Sequence, residues 1–145
     1  MSIYNFSKDV FCRINNEDEV FDASIMLLPV GEISKLRLKV YKKGHVYGSV
    51  VVKIFPNNSS VAIATSAPVA LSSIQDNFFG FISFDFNREN ISNGYYRIEV
   101  SVSGYNGNSS GDFMSFIYDY PVGAYSDDLG GPLANPLAIE VFYYK

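Results

Sequence analysis

Tryptophan is absent from this 145-residue sequence, and cysteine and histidine occur once each, as Cys12 and His45. A lone thiol excludes an internal disulfide and suits folding in a reducing cytosol, or in a particle assembled there. Charge is sparse, with 11 Lys and Arg against 15 Asp and Glu and a net of −4. Lys42 and Lys43 are the only adjacent cations. The basic stripe that neutralises phosphates is therefore missing, and nucleic acid is set aside as a partner. An anionic membrane surface is disfavoured for the same reason. The longest apolar runs, such as residues 25–30, fall far short of the roughly 20 residues that span a bilayer as a helix. Residues 1–9 carry neither a basic n-region nor an apolar h-region, so a Sec-type signal peptide is not expected. On that reading the sequons at Asn58, Asn90 and Asn108 are plain turn residues.

What the chain does have is apolar and aromatic side chains. Hydrophobic residues make up 48% of it, including 12 Phe and 11 Tyr. That is too apolar for disorder. A chain of this length buries roughly 68–70% of its unfolded surface and needs no staple. β-branched and aromatic enrichment is a strand composition.

The spacing of these residues has period two. In 35–41, Leu36, Leu38 and Val40 point one way and Lys35, Arg37 and Lys39 the other, the mark of a strand with one wet face. After Gly94, Tyr96, Ile98, Val100 and Val102 alternate with Arg97, Glu99, Ser101 and Ser103. At the C-terminal end, Leu137, Ile139, Val141 and Tyr143 alternate with Ala138, Glu140, Phe142 and Tyr144. Residues 46–55 and 78–86 are more apolar, with Phe78, Ile82, Phe84 and Phe86 sharing a face. Residues 20–28 and 113–120, and a weaker strand at 61–65 or 69–74, bring the expected total to about eight or nine strands, with almost no helix. Turn signals at Gly44, Asn57-Asn58, Asn93-Gly94 and Asn106-Gly107 separate them, and 42–45 reads as a tight hairpin. The remaining connections are longer, above all the Gly/Pro/Asp-rich stretch 122–136. Mixed connection lengths favour Greek-key crossing between two sheets over an up-and-down meander. The expected fold is therefore all-β, a jelly-roll-like antiparallel β-sandwich over residues 20–145. Residues 1–19 are either one extra edge strand or an arm that docks on a neighbour through Tyr4, Phe6 and Phe11.

The order of landmarks resembles a jelly-roll module that recurs in phage virion proteins and bacterial surface proteins. Those landmarks are the charged alternating strand at 35–40, Lys42-Lys43-Gly44, Val50-Val51-Val52, the aromatic run 81–86, Gly94-Tyr95-Tyr96, Tyr120-Pro121-Val122-Gly123 and the alternating strand 137–141. The resemblance covers roughly residues 20–144 and implies a fold and a setting, not a ligand. Related modules often carry an exposed Trp, which is absent here, and that weakens a sugar platform.

Candidate chemistry is thin. His45 follows Gly44 in a turn, and nothing in the sequence supplies the nucleophile or carboxylate that a catalytic histidine needs. Cys12 reads as a small hydrophobe. Asp112, Asp119, Asp127 and Asp128 are the nearest approach to a calcium site, but their spacing lacks an ordered ligand series, and Asp is what turns use. No metal or other cofactor is expected, and no enzyme. Tyr118, Tyr120 and Tyr125 flank the long loop beside Asp127 and Asp128, and tyrosine suits protein interfaces and sugars alike.

These readings converge on assembly. The expected function is a structural component of a tailed-phage particle, put together in the host cytoplasm, as a capsid decoration or head-fibre subunit. Its partners are capsid or other virion proteins and copies of itself, most simply as a trimer. Phe79, Phe81, Phe142 and Tyr144 are expected to stand on otherwise wet faces and hold the contacts. The alternative is a carbohydrate- or host-receptor-binding module of a tail fibre or surface protein, binding glycan through Tyr118, Tyr120, Tyr125, Asp127 and Asp128.

Overall fold

The computed structural model describes residues 10–14, 17–28, 30–107, 112–118 and 139–144, with backbone alone at 10–13, 21–27 and 117–118. Its elements are β1 (Val10–Arg13), β2 (Glu19–Leu28), β3 (Gly31–Lys43), β4 (Ser49–Pro56), β5 (Ala64–Thr65), β6 (Val69–Ala70), a 3-10 turn (Leu71–Ser73), β7 (Phe78–Ile91), β8 (Gly94–Ser103), β9 (Phe113–Tyr118) and β10 (Ile139–Tyr144). The fold is all-β, as expected. The weaker strand placed at 61–65 or 69–74 proves to be two short bridges, β5 and β6, both on the far edge of β4.

The strands form two antiparallel five-stranded sheets. In sheet A, β3 pairs with β7 along one edge. Along its other edge it pairs first with β9, over Val40 to Lys43, and then with β10, over Glu32 to Leu38. β1 lies outside β9, with Val10 opposite Tyr118. Sheet B runs β2-β8-β4, with β5 and β6 beyond β4. The spatial orders β1-β9-β3-β7 and β2-β8-β4-β5/β6, with the chain changing sheet at six of the nine connections between the described strands, are those of a jelly roll. β10 is additional. β9 leaves β3 after Phe116, opposite Val40, and Ile139 takes up the same edge opposite Leu38. One column of the sheet is thus built from two strands.

Sheet crossing overturns one detail of the sequence reading. Residues 42–45 are not a tight hairpin, because β3 and β4 belong to different sheets. The chain turns at Gly44, φ 72°, beside the Asp112 side chain, which occupies the place a Cβ would take. Only glycine meets both demands without strain.

Period-two patterning does the folding work. Ile33, Leu36, Leu38, Val40, Val50, Val52, Ile54, Phe84, Ile98, Val100, Met114 and Phe116 are all buried between the sheets. Each sheet buries one apolar face against the other, which is the two-layer solution for such strands. Burying one Leu, Ile or Phe contributes about 1.5–3 kcal/mol, so β3 alone anchors much of the interior.

One charge shares that interior. Lys42 is in phase with Leu36, Leu38 and Val40 and is wholly enclosed. Its Nζ donates to the carbonyls of Leu71, at 3.0 Å, and Ile74, at 2.5 Å, and lies 3.3 Å from Asp76 Oδ1. All three ammonium donors are therefore engaged, which is the condition for burying a lysine. Lys42 pins the 3-10 turn and the start of β7 to the end of β3.

Candidate interaction face

Among the described side chains, the clustered aromatics lie on the outer face of sheet A. On sheet B, β4 and β8 turn Lys53, Arg97, Glu99 and Ser101 outward. Phe55 on that face is buried beneath Arg97, whose guanidinium lies 4.2 Å from its ring centroid, while Tyr95 and Val20 stand exposed beside the polar residues. On sheet A, β3 presents Lys35, Arg37, Lys39 and Tyr41, and its neighbours present Phe79, Phe81, Phe113, Phe142 and Tyr144. Register explains the gathering. Tyr41 stands opposite Phe79, Lys39 opposite Phe81, and Lys35 opposite Phe142.

Cations and rings interleave across this face. Arg37 lies 5.0 Å from the Phe81 centroid and 5.9 Å from that of Phe142, and forms an ion pair with Glu140 at 3.1 Å. Lys39 sits 4.8 Å over Phe79, and Lys35 5.7 Å over Phe142. Tyr41 meets Phe113 edge-on at 5.6 Å and Phe79 at 6.1 Å. Such contacts hold the long cationic side chains along the rings. They do not cover the rings: Phe79 is 50% exposed and Phe142 41%.

Where β3 approaches Tyr144 the pairing is irregular on both sides. Ser34 is an extra residue relative to β10, and β7 bulges over residues 86–88. Arg88 takes a left-handed backbone, φ 48°, and grips Glu32 Oε1 at 2.8 Å from its terminal nitrogen and 2.9 Å from Nε. Its guanidinium stacks 4.0 Å from the Tyr144 ring centroid. Bulges re-aim side chains at sheet margins, and this one props Tyr144 upright at the end of β10.

A second polar cluster lies where β3 ends. Asp76 accepts from both Lys42 and His45, whose Nδ1 is 3.1 Å from the same Oδ1. The hydrogen bond from His45 holds the Asp76 carboxyl below its ordinary range, and the Lys42 ammonium adds to the effect. The His45 ring packs edge-on against Tyr47 at 4.7 Å, and its backbone N–H donates to Asp112 Oδ1. In the sequence His45 follows Gly44 in a turn with no identifiable carboxylate partner. The structure brings Asp76 to it across the sheet end, although no nucleophile hydrogen-bonds to that ring among the described residues. No group of three or more His, Cys, Asp or Glu side chains suited to a metal ion occurs among the described residues.

The sequence candidates are distributed as follows. Phe11 lies in β1, opposite Ile117, and Tyr118 ends β9, opposite Val10. The structure thus brings the first strand and the tyrosine before the long loop to one place on sheet A. Tyr4, Phe6, Tyr120, Tyr125, Asp127 and Asp128 lie outside the described residues. Phe79, Phe81, Phe142 and Tyr144 all fall on the outer face of sheet A. The parts of Tyr41, Phe113 and the cation row escaped the sequence reading. Period two put Tyr41 on the wet side of β3, but only strand pairing sets Phe79 and Phe113 beside it.

A jelly-roll sandwich whose sheet A carries an aromatic and cationic outer face is the class that fold and face define. Comparison with protein-family models, with curated proteins and with solved structures yields no match.

Proposed function

We propose that this protein is a structural component of a virus particle of the tailed-phage kind, a capsid decoration or head-fibre subunit that docks on other virion proteins. The observation that carries the docking reading is the aromatic patch of Tyr41, Phe79, Phe81 and Phe113 around Lys39 and Arg37. Exposed apolar patches of this kind mark contact sites, and interface centres are enriched in aromatic residues and Arg. The jelly-roll strand order supports the setting, since the fold recurs in viral capsid and lectin domains. The particle itself comes from the resemblance of the sequence landmarks. No catalysis belongs to this reading.

The test is incorporation. The full chain carrying Phe79→Ser and Phe81→Ser should keep its far-ultraviolet dichroism but be lost from purified particles that retain the native chain. Particles that never contain the native chain, or that hold the double variant at native level, refute the reading. Selective binding on a glycan array would replace it with the carbohydrate-module alternative.

A further inference from the structure

The aromatic face does not explain β10. This strand pairs with β3 along one edge only, among the described residues. Its last three residues are open on both faces: Phe142 and Tyr144 on the outer side, at 41% and 52% exposed, and Tyr143 on the inner side, at 40%. Tyr143 belongs to the core by phase, yet it rims a small apolar notch with Leu28, Ile33, Ile91 and Val141. Among the described residues the sandwich is therefore unclosed along β10.

Sheet edges are ordinarily guarded by charge, proline, bulges or a covering segment. The opposite edge of sheet A is guarded in these ways. β7 bulges at 86–88, carries Asp85, Asn87, Arg88, Glu89 and Asn90, and receives a strap bond from the Ala67 N–H to the Asp85 carbonyl. β10 has Glu140 as its sole charge, no Lys and no Pro. It reads as an edge meant to be paired.

The geometry points to a second copy of this chain as the occupant, its β10 laid antiparallel along this one about a two-fold axis at Phe142. Residues directly opposite in an antiparallel pair must share a face. Centring on Phe142 sets Phe142 against its own copy and Tyr144 against Glu140 on the outer side, and Tyr143 against Val141 on the inner side. All three exposed aromatics then gain a cross-strand neighbour, no like charges meet, and an isologous contact of this kind closes at two copies. Charge also selects this mode over stacking the two aromatic faces. Face-to-face packing places sheets about 10 Å apart and would set the Lys35, Arg37, Lys39 row against itself, a like-charge juxtaposition that disfavours association. Edge pairing keeps the two Lys35 side chains three strand spacings apart, about 14 Å, beyond the screening length at physiological salt. The outer faces of both copies then merge into one continuous surface. This interface extends the assembly reading and rests on it, and it replaces the trimer with a dimer.

Light scattering on the full chain should give twice its 16.1 kDa mass. Phe142→Glu, which opposes two carboxylates at the axis, should return it to single mass with unchanged dichroism, while Tyr95→Glu, on sheet B, should not. In a Cys12→Ser background, Phe142→Cys should cross-link to a dimer under mild oxidation, because opposed strand residues lie within disulfide reach. Phe79→Cys in the same background should not. A monomer at every concentration, an oligomer that Phe142→Glu leaves intact, or equal cross-linking at 79 and 142 overturns the proposal. A monomer that still enters particles would end this interface and leave the docking reading standing.

Discussion

Lys42 and Asp76 meet at 3.3 Å with the lysine fully enclosed and the aspartate half exposed. The pair is lopsided, with the cation inside and the anion at the rim. Most of what Lys42 does inside the fold passes through the carbonyls of Leu71 and Ile74. Replacing it by the nearly isosteric Met leaves those acceptors without their charged donor. Lys42→Met should lower unfolding free energy by about 1–3 kcal/mol, read as a shifted midpoint in urea with an unchanged slope.

Asp76 gives the fold a pH dependence of definite sign. Its folded carboxyl titrates below the ordinary aspartate range, chiefly because His45 donates to it. A depressed carboxylate stabilises the fold above its unfolded pKa, and that contribution is lost as pH falls through the folded one. The loss therefore begins near pH 4 and deepens below it. Melting curves from pH 6 to 2 should show Asp76→Asn less stable than the native chain at pH 6, with the gap closing toward pH 2. A gap that widens in acid would contradict the assignment.

Tyr105 joins the end of sheet B to the start of β9. Its buried hydroxyl accepts from the Met114 N–H at 2.9 Å. Tyr105→Phe keeps the ring and strands that donor, so it should cost about 1–3 kcal/mol. Amide exchange at Met114 should accelerate more than exchange at the centre of β3.

Adjacent residues of β3 should respond very unequally to truncation. Leu38 is wholly buried, and Leu38→Ala should cost about 2–5 kcal/mol through lost burial and a cavity. Lys39 sits over Phe79 on the outer face, where removing an exposed cation–ring contact costs about 0.5–1 kcal/mol. Calorimetry on the two variants checks the facing of the strand directly.

Much of the fold could be read from the chain because alternation is a local property. Leu36, Leu38 and Val40 against Lys35, Arg37 and Lys39 fix both the strand and its facing without reference to any other segment. Glycine and asparagine marked where strands end. Strand partners could not be read this way, because pairing joins segments far apart and leaves no local trace. Residues 42–45 looked like a hairpin because Lys-Gly turns serve hairpins and sheet crossings alike. Nothing in the sequence marks Lys42 as a buried cation, because its three acceptors, at 71, 74 and 76, come from a segment with no visible tie to it. His45 acquired a carboxylate from that same segment.

The sequence by itself determined an all-β sandwich, the inward and outward residues of its clear strands, and a surplus of aromatics beyond what an interior needs. Tertiary structure decided where that surplus went. Jelly-roll crossing sets β7, β9 and β10 around β3, so Phe79, Phe81, Phe113 and Phe142 from distant segments share one face with Arg37. The reason is that side-chain alternation is set residue by residue along the chain, whereas the neighbours of a strand are chosen by the closing of two sheets over one core.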